Sequence, residues 1–194
     1  MHKFDLNYCN NCGHEVTKII PAGDQKLRDV CASCGAIHYQ NPKIITGSLI
    51  EHEGKVLLCQ RKIEPQYGKW TLPAGFMENS ETVEQGAARE TMEEANAQIN
   101  KPQLYAVYDI PHISQVYMIY RATLASDQYS PGEESLAVDL FDRFTLPWEL
   151  LAFSVIKELL QNYFIDIDKG EYKLHTGTIT PEMKLQLGQR PKGF

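Results

Sequence analysis

Residues 75–97 read Gly-Phe-Met-Glu-Asn-Ser-Glu-Thr-Val-Glu-Gln-Gly-Ala-Ala-Arg-Glu-Thr-Met-Glu-Glu-Ala-Asn-Ala. Thr82 and Gln85 have the spacing of a capping box, in which the side chain of each residue bonds the backbone N–H of the other at the start of a helix. Asn96 tolerates the left-handed backbone conformation that closes a helix. The stretch therefore predicts a helix over residues 83–95, with Thr82 as its N-cap.

Three glutamates near the end of this helix, Glu90, Glu93 and Glu94, share one face because residues three or four apart are neighbours on a helix. Like charges at these spacings repel, and the helix dipole disfavours anions in the last turn, so a bound cation would reverse both effects. Carboxylate oxygens suit Mg²⁺ or Mn²⁺. The alternative is a solvated acidic face. Arg89 beside the cluster favours a site, as does Gly86, which costs a helix about 1 kcal/mol relative to alanine and suggests a close backbone approach.

The same stretch resembles the Nudix box, G-x5-E-x7-R-E-U-x-E-E-x-G-U, in which U is a bulky apolar residue. The fixed positions that match are Gly75, Glu81, Arg89, Glu90, Glu93 and Glu94. The chain departs from the motif at Thr91, Asn96 and Ala97, and Asn96 can serve the capping role of the usual glycine. The resemblance implies an α/β fold, the Nudix α/β/α sandwich with a mixed sheet, and hydrolysis of a nucleoside diphosphate that is linked to another group.

The resemblance also implies the metal ligands. Glu90, Glu93 and Glu94 would hold Mg²⁺ or Mn²⁺, the carbonyl of Ala74 would add a ligand, and Arg89 would orient the carboxylates. The divalent ion would neutralise the diphosphate oxygens and activate a water for in-line attack at phosphorus. The chain is therefore expected to be a metal-dependent pyrophosphatase.

Further candidates lie outside the helix. In relatives a glutamate of a later loop takes the proton of the attacking water, and Glu133 or Glu134 in the acidic segment 130–135 fits this role; the alternative is a solvated turn. For substrate binding we assign Arg61 to a phosphate, Trp70 to stacking on a planar ring, and Gly75. The simpler alternatives are a surface arginine and a core tryptophan.

The substrate is suggested by a wider resemblance, to plant plastid FAD and ADP-ribose pyrophosphatases and their bacterial relatives, over most of residues 9–155. It implies hydrolysis of FAD to FMN and AMP, or of ADP-ribose to AMP and ribose 5-phosphate. NADH pyrophosphatases also carry a zinc ribbon, but they have Ser-Gln-Pro-Trp-Pro-Phe-Pro where this chain has Ser-Gln-Val-Tyr-Met-Ile-Tyr at residues 114–120. An NADH or RNA-cap pyrophosphatase and a nucleotide-sensing binding module remain the alternatives.

A second motif lies near the N-terminus, where Cys-x-x-Cys-Gly occurs twice and places Cys9, Cys12, Cys31 and Cys34 at the spacing of a zinc ribbon. The glycine after each pair can adopt positive φ and let the backbone bend round the ion. Four thiolates leave no open position for water or substrate, so the zinc is expected to be structural. Four buried thiols without metal are the alternative.

Composition narrows the classes of function. The chain has 194 residues, 43% of them hydrophobic, and a net charge of −6, which disfavours nucleic acid as the main ligand. We expect no membrane span and no secretory signal, and hence a cytoplasmic protein with a small nucleotide substrate. A homodimer is expected from the family resemblance alone.

Turn residues predict a boundary near residue 42. Together with the resemblance, this boundary implies three parts: a zinc ribbon over residues 1–42, a Nudix domain over 43–165 and a C-terminal extension over 166–194 to which we assign no function. A second helix is predicted over 147–163. Strands are predicted over 43–52, 55–61, 70–72, 76–77, 104–110, 115–124 and 137–144.

Overall fold

The computed structural model describes residues 6–186, of which 184–186 are described by their backbone alone. The chain divides into two compact units, Met1–Pro42 and Lys43–Phe194. The first unit contains a three-stranded antiparallel sheet in the order β1-β2-β3. Its strands are β1 (Val16–Ile19), β2 (Arg28–Cys31) and β3 (Ile37–His38).

The second unit is built on a sheet whose main path runs β10-β5-β4-β9-β8-β11, with β6 paired to β5 and β7 paired to β4. β4 pairs with β9 and β11 pairs with β8 in parallel, while the other ladders are antiparallel, so the sheet is mixed. Its elements are β4 (Lys43–His52), β5 (Lys55–Arg61), β6 (Trp70–Thr71), β7 (Ala74–Phe76), α1 (Val83–Ala95), β8 (Ile99–Ile110), β9 (Gln115–Leu124), β10 (Ser135–Phe141), α2 (Ser154–Lys169) and β11 (His175–Thr178).

The two helices cover opposite faces of this sheet, because successive side chains of a strand point to opposite sides. From β4, Ile50 joins the small apolar cluster that includes Ala95 of α1. Its neighbour Leu49 faces the other way and joins the large cluster that includes Leu159 and Leu160 of α2. The unit is therefore the predicted α/β/α sandwich.

Small polar residues attach α1 to β4. Thr46 Oγ1 donates to the carbonyl of Val83 at 2.7 Å, and Thr91 Oγ1 donates to Ser48 Oγ at 3.0 Å. At Gly86 a Cβ would lie 2.6 Å from Thr46 Cγ2, which confirms the close backbone approach expected there. Thr91 therefore takes the place of a bulky apolar residue in the motif because it bonds the strand instead of filling space.

The second helix was predicted at the wrong bounds. It runs over Ser154–Lys169 and not over 147–163, and the segment Trp148–Leu150 before it is a short 3₁₀ turn. The chain then extends instead of continuing as a helix, because the N–H of Ala152 donates to the carbonyl of Trp70 at 2.8 Å. The boundary placed at residue 165 therefore falls inside α2.

Other bounds also differ from the predictions. β8 begins five residues before the predicted start at residue 104, and β10 ends at Phe141, before the predicted end at residue 144. The described part of the predicted C-terminal extension includes β11, which lies alongside residues 106–109 of β8 in the sheet, and a 3₁₀ segment, Pro181–Gln186. The stretch 187–194 of that extension lies outside the described residues. Over the part of the chain that is described, no helix is long and apolar enough to cross a membrane.

Candidate active site

Arg89, in the middle of α1, is the centre of a carboxylate cluster. Its Nε and Nη2 donate to the two oxygens of Glu81 at 3.0 and 2.9 Å. Its Nη1 donates to Glu90 Oε1 at 2.7 Å and to Glu93 Oε2 at 3.0 Å, and Nη2 also reaches the carbonyl of Phe76 at 3.1 Å. These contacts employ all five N–H donors of a guanidinium. Arg89 therefore positions carboxylates and has no donor left for a substrate.

Glu81 joins the loop before α1 to the helix. It accepts the fork of Arg89 and also the backbone N–H of Glu78 at 2.7 Å. The hydrogen bonds from Arg89 lower the pKa of Glu81 to about 2. Because this carboxylate stays ionised, it holds the guanidinium in one orientation across the usual pH range.

Glu90 and Glu94 are buried carboxylates, 8% and 7% exposed, whereas Glu93 points to solvent. Burial raises the pKa of Glu90, and burial together with the charge of Glu90 raises the pKa of Glu94 to about 8. The N–H of Ala74 donates to Glu94 Oε2 at 3.3 Å, and this long hydrogen bond compensates little of the free-energy cost of burying the Glu94 carboxylate. Two buried like charges side by side form an arrangement that a bound cation would stabilise.

The backbone leaves room for these carboxylates. At Gly75, on β7, a Cβ would lie 2.4 Å from both carboxylate oxygens of Glu90. A side chain at this position would displace the Glu90 carboxylate from its hydrogen bond with Arg89. Gly75 thus shapes the carboxylate cluster.

The cluster opens into a cleft of about 1260 Å³. The predicted site residues that line it are Arg61, Ala74, Gly75, Arg89, Glu90, Glu93, Glu94, Glu133 and Glu134. The apolar part of the wall includes Phe76, Met92, Ile110, Ile113, Tyr117 and Ile179. The cleft therefore brings the acidic cluster, an arginine and apolar surface together in one place.

The two residues assigned to substrate binding by side chain are placed differently. Arg61 lies on the cleft wall, with Nε donating to the carbonyl of Pro65 at 2.9 Å and the guanidinium above the ring of Phe153. Trp70 packs edge-on against Phe141 with ring centroids 4.8 Å apart, and it is not among the described residues that line the cleft. The structure thus places Trp70 in the packing of the sheet, which was the simpler alternative.

The acidic segment 130–135 lies against the C-terminal end of α1. The N–H groups of Ser130 and Gly132 donate to the carbonyls of Ala95 and Glu94 at 2.9 and 3.0 Å. The charge of Glu134 contributes to raising the pKa values of both Glu90 and Glu94. The segment therefore lies next to the carboxylate cluster, although the side chains of Glu133 and Glu134 are exposed.

Two of the other residues that line the cleft, His112 and Ile179, were not among the predicted site residues. His112 lines it, and both ring nitrogens are buried with no hydrogen-bond partner among the residues that the structure describes. Ile179, just after β11, also lines it and is held by its N–H, which donates to the carbonyl of Asp109 at 2.8 Å. A lone histidine in a loop and an isoleucine near the C-terminus carry no sequence signal for a site.

The zinc-ribbon unit contains a second cluster. The sulfur atoms of Cys9, Cys12, Cys31 and Cys34 all lie within 4.8 Å of one another. Donation from the N–H groups of Cys34 and Ser33 lowers the pKa of Cys31, whereas the neighbouring sulfur atoms raise the pKa of Cys12. The sulfur set fits a structural tetrahedral zinc site.

The two halves of this cluster repeat one turn. Gly13 and Gly35 both have φ of 75°, and each donates its N–H to the carbonyl of the first cysteine of its pair at 2.8 and 2.9 Å. The positive φ expected after each pair is therefore confirmed. His38 Nε2 lies 3.3 Å from Cys9 Sγ, so this histidine contacts a sulfur of the cluster without belonging to the four-cysteine group.

Comparison with known families matches both units of the chain. The family described as Nudix N-terminal, a zinc ribbon, matches residues 7–40, and the NUDIX domain family matches residues 43–157. A crystal structure of a NUDIX hydrolase from Nitrosomonas europaea is 53% identical, with a TM-score of 0.87, and covers 90% of this chain and 99% of its own.

Two curated relatives differ in the activity that their names give. An ADP-ribose pyrophosphatase of Methanocaldococcus jannaschii is 30% identical over 132 residues, which are 63% of this chain and 76% of the relative. A NAD-capped RNA hydrolase, NudC, of Vibrio atlanticus is 29% identical over 168 residues, which are 85% of this chain. The aligned part spans 60% of the length of that NudC protein and 47% of the NudC protein of Photobacterium profundum.

Proposed function

This chain belongs to the Nudix hydrolase family, and on that premise we propose that it hydrolyses the diphosphate linkage of a nucleoside diphosphate derivative with the help of Mg²⁺ or Mn²⁺. One observation carries the proposal. Two buried carboxylates, Glu90 and Glu94, stand beside the exposed Glu93 on the wall of a large cleft, and Arg89 holds two of the three in place. A module that only senses nucleotides does not need this arrangement.

The donor set fits a hard divalent cation. Oxygen atoms of Glu90, Glu93 and Glu94 and the carbonyl of Ala74 are the ligands proposed to hold it, and hard ions prefer such oxygens. The cation would offset the unfavourable burial of two carboxylates that the protein itself compensates only in part. When bound, it would neutralise the diphosphate oxygens and lower the pKa of a water for attack at phosphorus.

The remaining steps fall to residues of this chain. Glu133 or Glu134 accepts the proton of the attacking water, since both line the cleft and follow a segment fixed to the end of α1. Arg61 pairs with a phosphate through its terminal Nη groups, because its Nε is already bonded to Pro65. Gly75 keeps the substrate side of the cluster free of a side chain.

We propose FAD or ADP-ribose as the substrate. The resemblance to plastid pyrophosphatases of this specificity and the relative named ADP-ribose pyrophosphatase support this choice. The cleft, at about 1260 Å³, exceeds the roughly 300–1,000 Å³ of most small-molecule pockets and so has room for a substrate with two groups joined by a diphosphate.

A second candidate is an NADH or NAD-capped RNA pyrophosphatase. The relatives named NudC support it, because the similarity to the Vibrio atlanticus protein extends over 85% of this chain. The residues after Gln115 argue for the first candidate: Gln115 and Tyr117 line the cleft, and this part of the chain lacks the Pro-Trp-Pro-Phe-Pro of NADH pyrophosphatases. A substrate bound in the cleft would therefore contact different side chains here than in an NADH pyrophosphatase.

The other assignments complete the proposal. Zinc in the four-cysteine cluster is structural, while the partner of the cleft is a small nucleotide and not a polynucleotide. Thiols placed as metal ligands suit a reducing compartment, so the protein is assigned to the cytoplasm. A homodimer is proposed from the family resemblance alone.

The decisive experiment incubates the full chain with Mg²⁺ or Mn²⁺ and, separately, FAD, ADP-ribose, NADH and an NAD-capped RNA oligonucleotide, and separates the products chromatographically. We expect AMP together with FMN or ribose 5-phosphate. The kcat/KM for FAD or ADP-ribose should be at least tenfold above that for NADH, which corresponds to a difference of about 1.4 kcal/mol in the activation free energy. Comparable turnover of NADH would favour the second candidate. No cleavage of any of the four would overturn the proposed function.

A further inference from the structure

The position after α1 departs from the motif with a residue whose side chain contacts the acidic segment 130–135. Asn96 has φ of 46° and ψ of 36°, and its N–H donates to the carbonyl of Met92 at 3.0 Å, so its backbone performs the capping role of the usual glycine. Its side chain performs a second task that a glycine cannot. The amide Nδ2 lies 3.1 Å from Ser130 Oγ, 3.0 Å from the carbonyl of Pro131 and 3.4 Å from the carbonyl of Ser130.

The contacted segment is also held by the helix end itself. The last carbonyls of a helix have no partner within the helix. Here the carbonyls of Glu94 and Ala95 accept the N–H groups of Gly132 and Ser130. The segment around Gly132 packs tightly on the end of α1, since a Cβ at Gly132 would lie only 1.7 Å from the carbonyl oxygen of Glu93.

Two glutamates follow directly on this fixed segment. Glu133 and Glu134 line the cleft, and the carbonyl of Glu134 accepts the N–H of Lys62 at 2.8 Å, just before β10 begins at Ser135. The two residues are therefore held between an anchor at Gly132 and an anchor at β10. The distance from their carboxylates to Glu90 and Glu94 therefore depends on the position of Gly132.

We propose that Asn96 is a positioning residue for the catalytic base: its side-chain amide fixes residues 130–132 to the end of α1 and so sets where Glu133 and Glu134 stand relative to the metal-binding carboxylates. The inference rests on the proposed function, because it takes one of these glutamates to be the base. It adds a role that the motif glycine cannot perform.

Two substitutions test the side-chain contacts of Asn96 separately from its backbone role as the cap of α1. Asn96→Gly keeps the left-handed conformation and removes the amide, and Asn96→Asp keeps the shape but cannot donate to the carbonyls. With ADP-ribose and saturating Mg²⁺, we expect Asn96→Gly to lower kcat about 10- to 100-fold, the loss that a misplacement of about 1 Å causes, with KM changed little. Asn96→Asp should lose at least as much. Full kcat in Asn96→Gly would overturn the proposal.

A mutant cycle tests whether Asn96 acts through a glutamate. Asn96→Gly is combined with Glu133→Gln and, separately, with Glu134→Gln. In the background that lacks the base, Asn96→Gly should cost less than about twofold, because residues that act as one unit are not additive. The same loss in both backgrounds as in the wild type would show a merely structural role and overturn the proposal.

Amide hydrogen exchange tests the positioning without reference to turnover. In Asn96→Gly the amides of Ser130 and Gly132 should exchange at least about tenfold faster, while those in the middle of α1 are unchanged. Unchanged exchange at Ser130 and Gly132 would overturn the proposal even if kcat falls. If the wild type cleaves no nucleotide, the proposed function fails, and the exchange measurement still decides whether Asn96 holds the segment.

Discussion

Replacing Gly86 by alanine should destabilise the second unit although alanine is the better helix former. In a helix interior this change usually stabilises by about 1 kcal/mol. At Gly86, however, a Cβ would lie 2.6 Å from both Thr46 Cγ2 and Glu81 Oε1. Neither atom can withdraw freely, because Thr46 Oγ1 bonds the carbonyl of Val83 and Arg89 bonds both oxygens of Glu81.

The size of the effect follows from these two opposing contributions. Forcing an extra carbon into a packed contact costs about 1–3 kcal/mol. Thr46 is fully buried on a strand and short, so the cost should lie in the upper half of that range. After the gain in helix propensity, we expect Gly86→Ala to lower the free energy of unfolding by about 1–2 kcal/mol.

Urea unfolding followed by tryptophan fluorescence measures this free energy selectively, because the two tryptophans of the chain, Trp70 and Trp148, lie in the second unit. Ala88→Gly is the control, since Ala88 is exposed on the same helix and should lose only the propensity of about 1 kcal/mol. Thr46→Ser removes Cγ2 and keeps the hydroxyl, so in the Gly86→Ala background it should cost less than it does alone.

The reasoning fails if Gly86→Ala is as stable as the wild type or more stable. It also fails if the effects of Gly86→Ala and Thr46→Ser simply add, because residues in contact should show a coupling energy of about 0.5 kcal/mol or more. Either result would mean that the helix and strand can separate without cost at this point.

Three further predictions concern the site and the zinc cluster. Glu94→Gln should lower kcat roughly 100-fold or more by removing a proposed metal ligand, with zinc content unchanged and the urea midpoint no lower, since burial of the Glu94 carboxylate is unfavourable; retained turnover would remove Glu94 from the ligand set. Serine at both Cys9 and Cys31 should release zinc and unfold the first unit, since structural zinc binding is folding energy, and a variant that still holds one zinc per chain would contradict the ribbon assignment. Glu81 has a pKa of about 2 in the folded protein, below its ordinary value, so its contribution to stability is complete above about pH 4.5 and is lost as the pH falls toward 2. Glu81→Gln should therefore flatten the acid side of the stability profile in urea unfolding, and an unchanged slope between these pH values would contradict the Arg89 contact.

The sequence predicted α1 fully because its boundaries are encoded locally. Thr82 and Gln85 form the capping box, and Asn96 takes the left-handed conformation, so the predicted bounds 83–95 are confirmed. The membership of the Nudix family and the α/β/α sandwich are confirmed as well. These predictions succeeded because the family, and with it the fold, is indicated by the spacing of charged residues within one helix and the loop before it.

The start of α2 and the existence of β11 were not predictable in the same way. A proline at residue 147 suits the first turn of a helix, but the chain after it is drawn into an extended form by Trp70, almost 80 residues earlier. β11, His-Thr-Gly-Thr, has no alternation of apolar and polar residues and is a strand because β8 offers it a partner. Tertiary contacts decided both elements.

In the site, too, locally encoded features were predicted from the sequence, and features that depend on tertiary contacts were not. The carboxylates on α1 follow from the motif, whereas the second task of Asn96 depends on a segment 34 residues later in the chain. Trp70 packs against Phe141 and does not line the described cleft, and its sequence position could not show this because an aromatic residue at strand spacing suits stacking and packing equally well. His112 enters the cleft only through the turn between β8 and β9.

The pairing of β11 with β8 has a consequence for biosynthesis. On the ribosome β8 can pair with β9 as soon as both have emerged, but its other edge stays open until residues 175–178 follow. Open strand edges can pair with other chains, so we expect the nascent protein to be most prone to self-association before β11 forms. The same strand brings Ile179 to the cleft, so this part of the cleft wall also forms only after residues 175–179 have emerged.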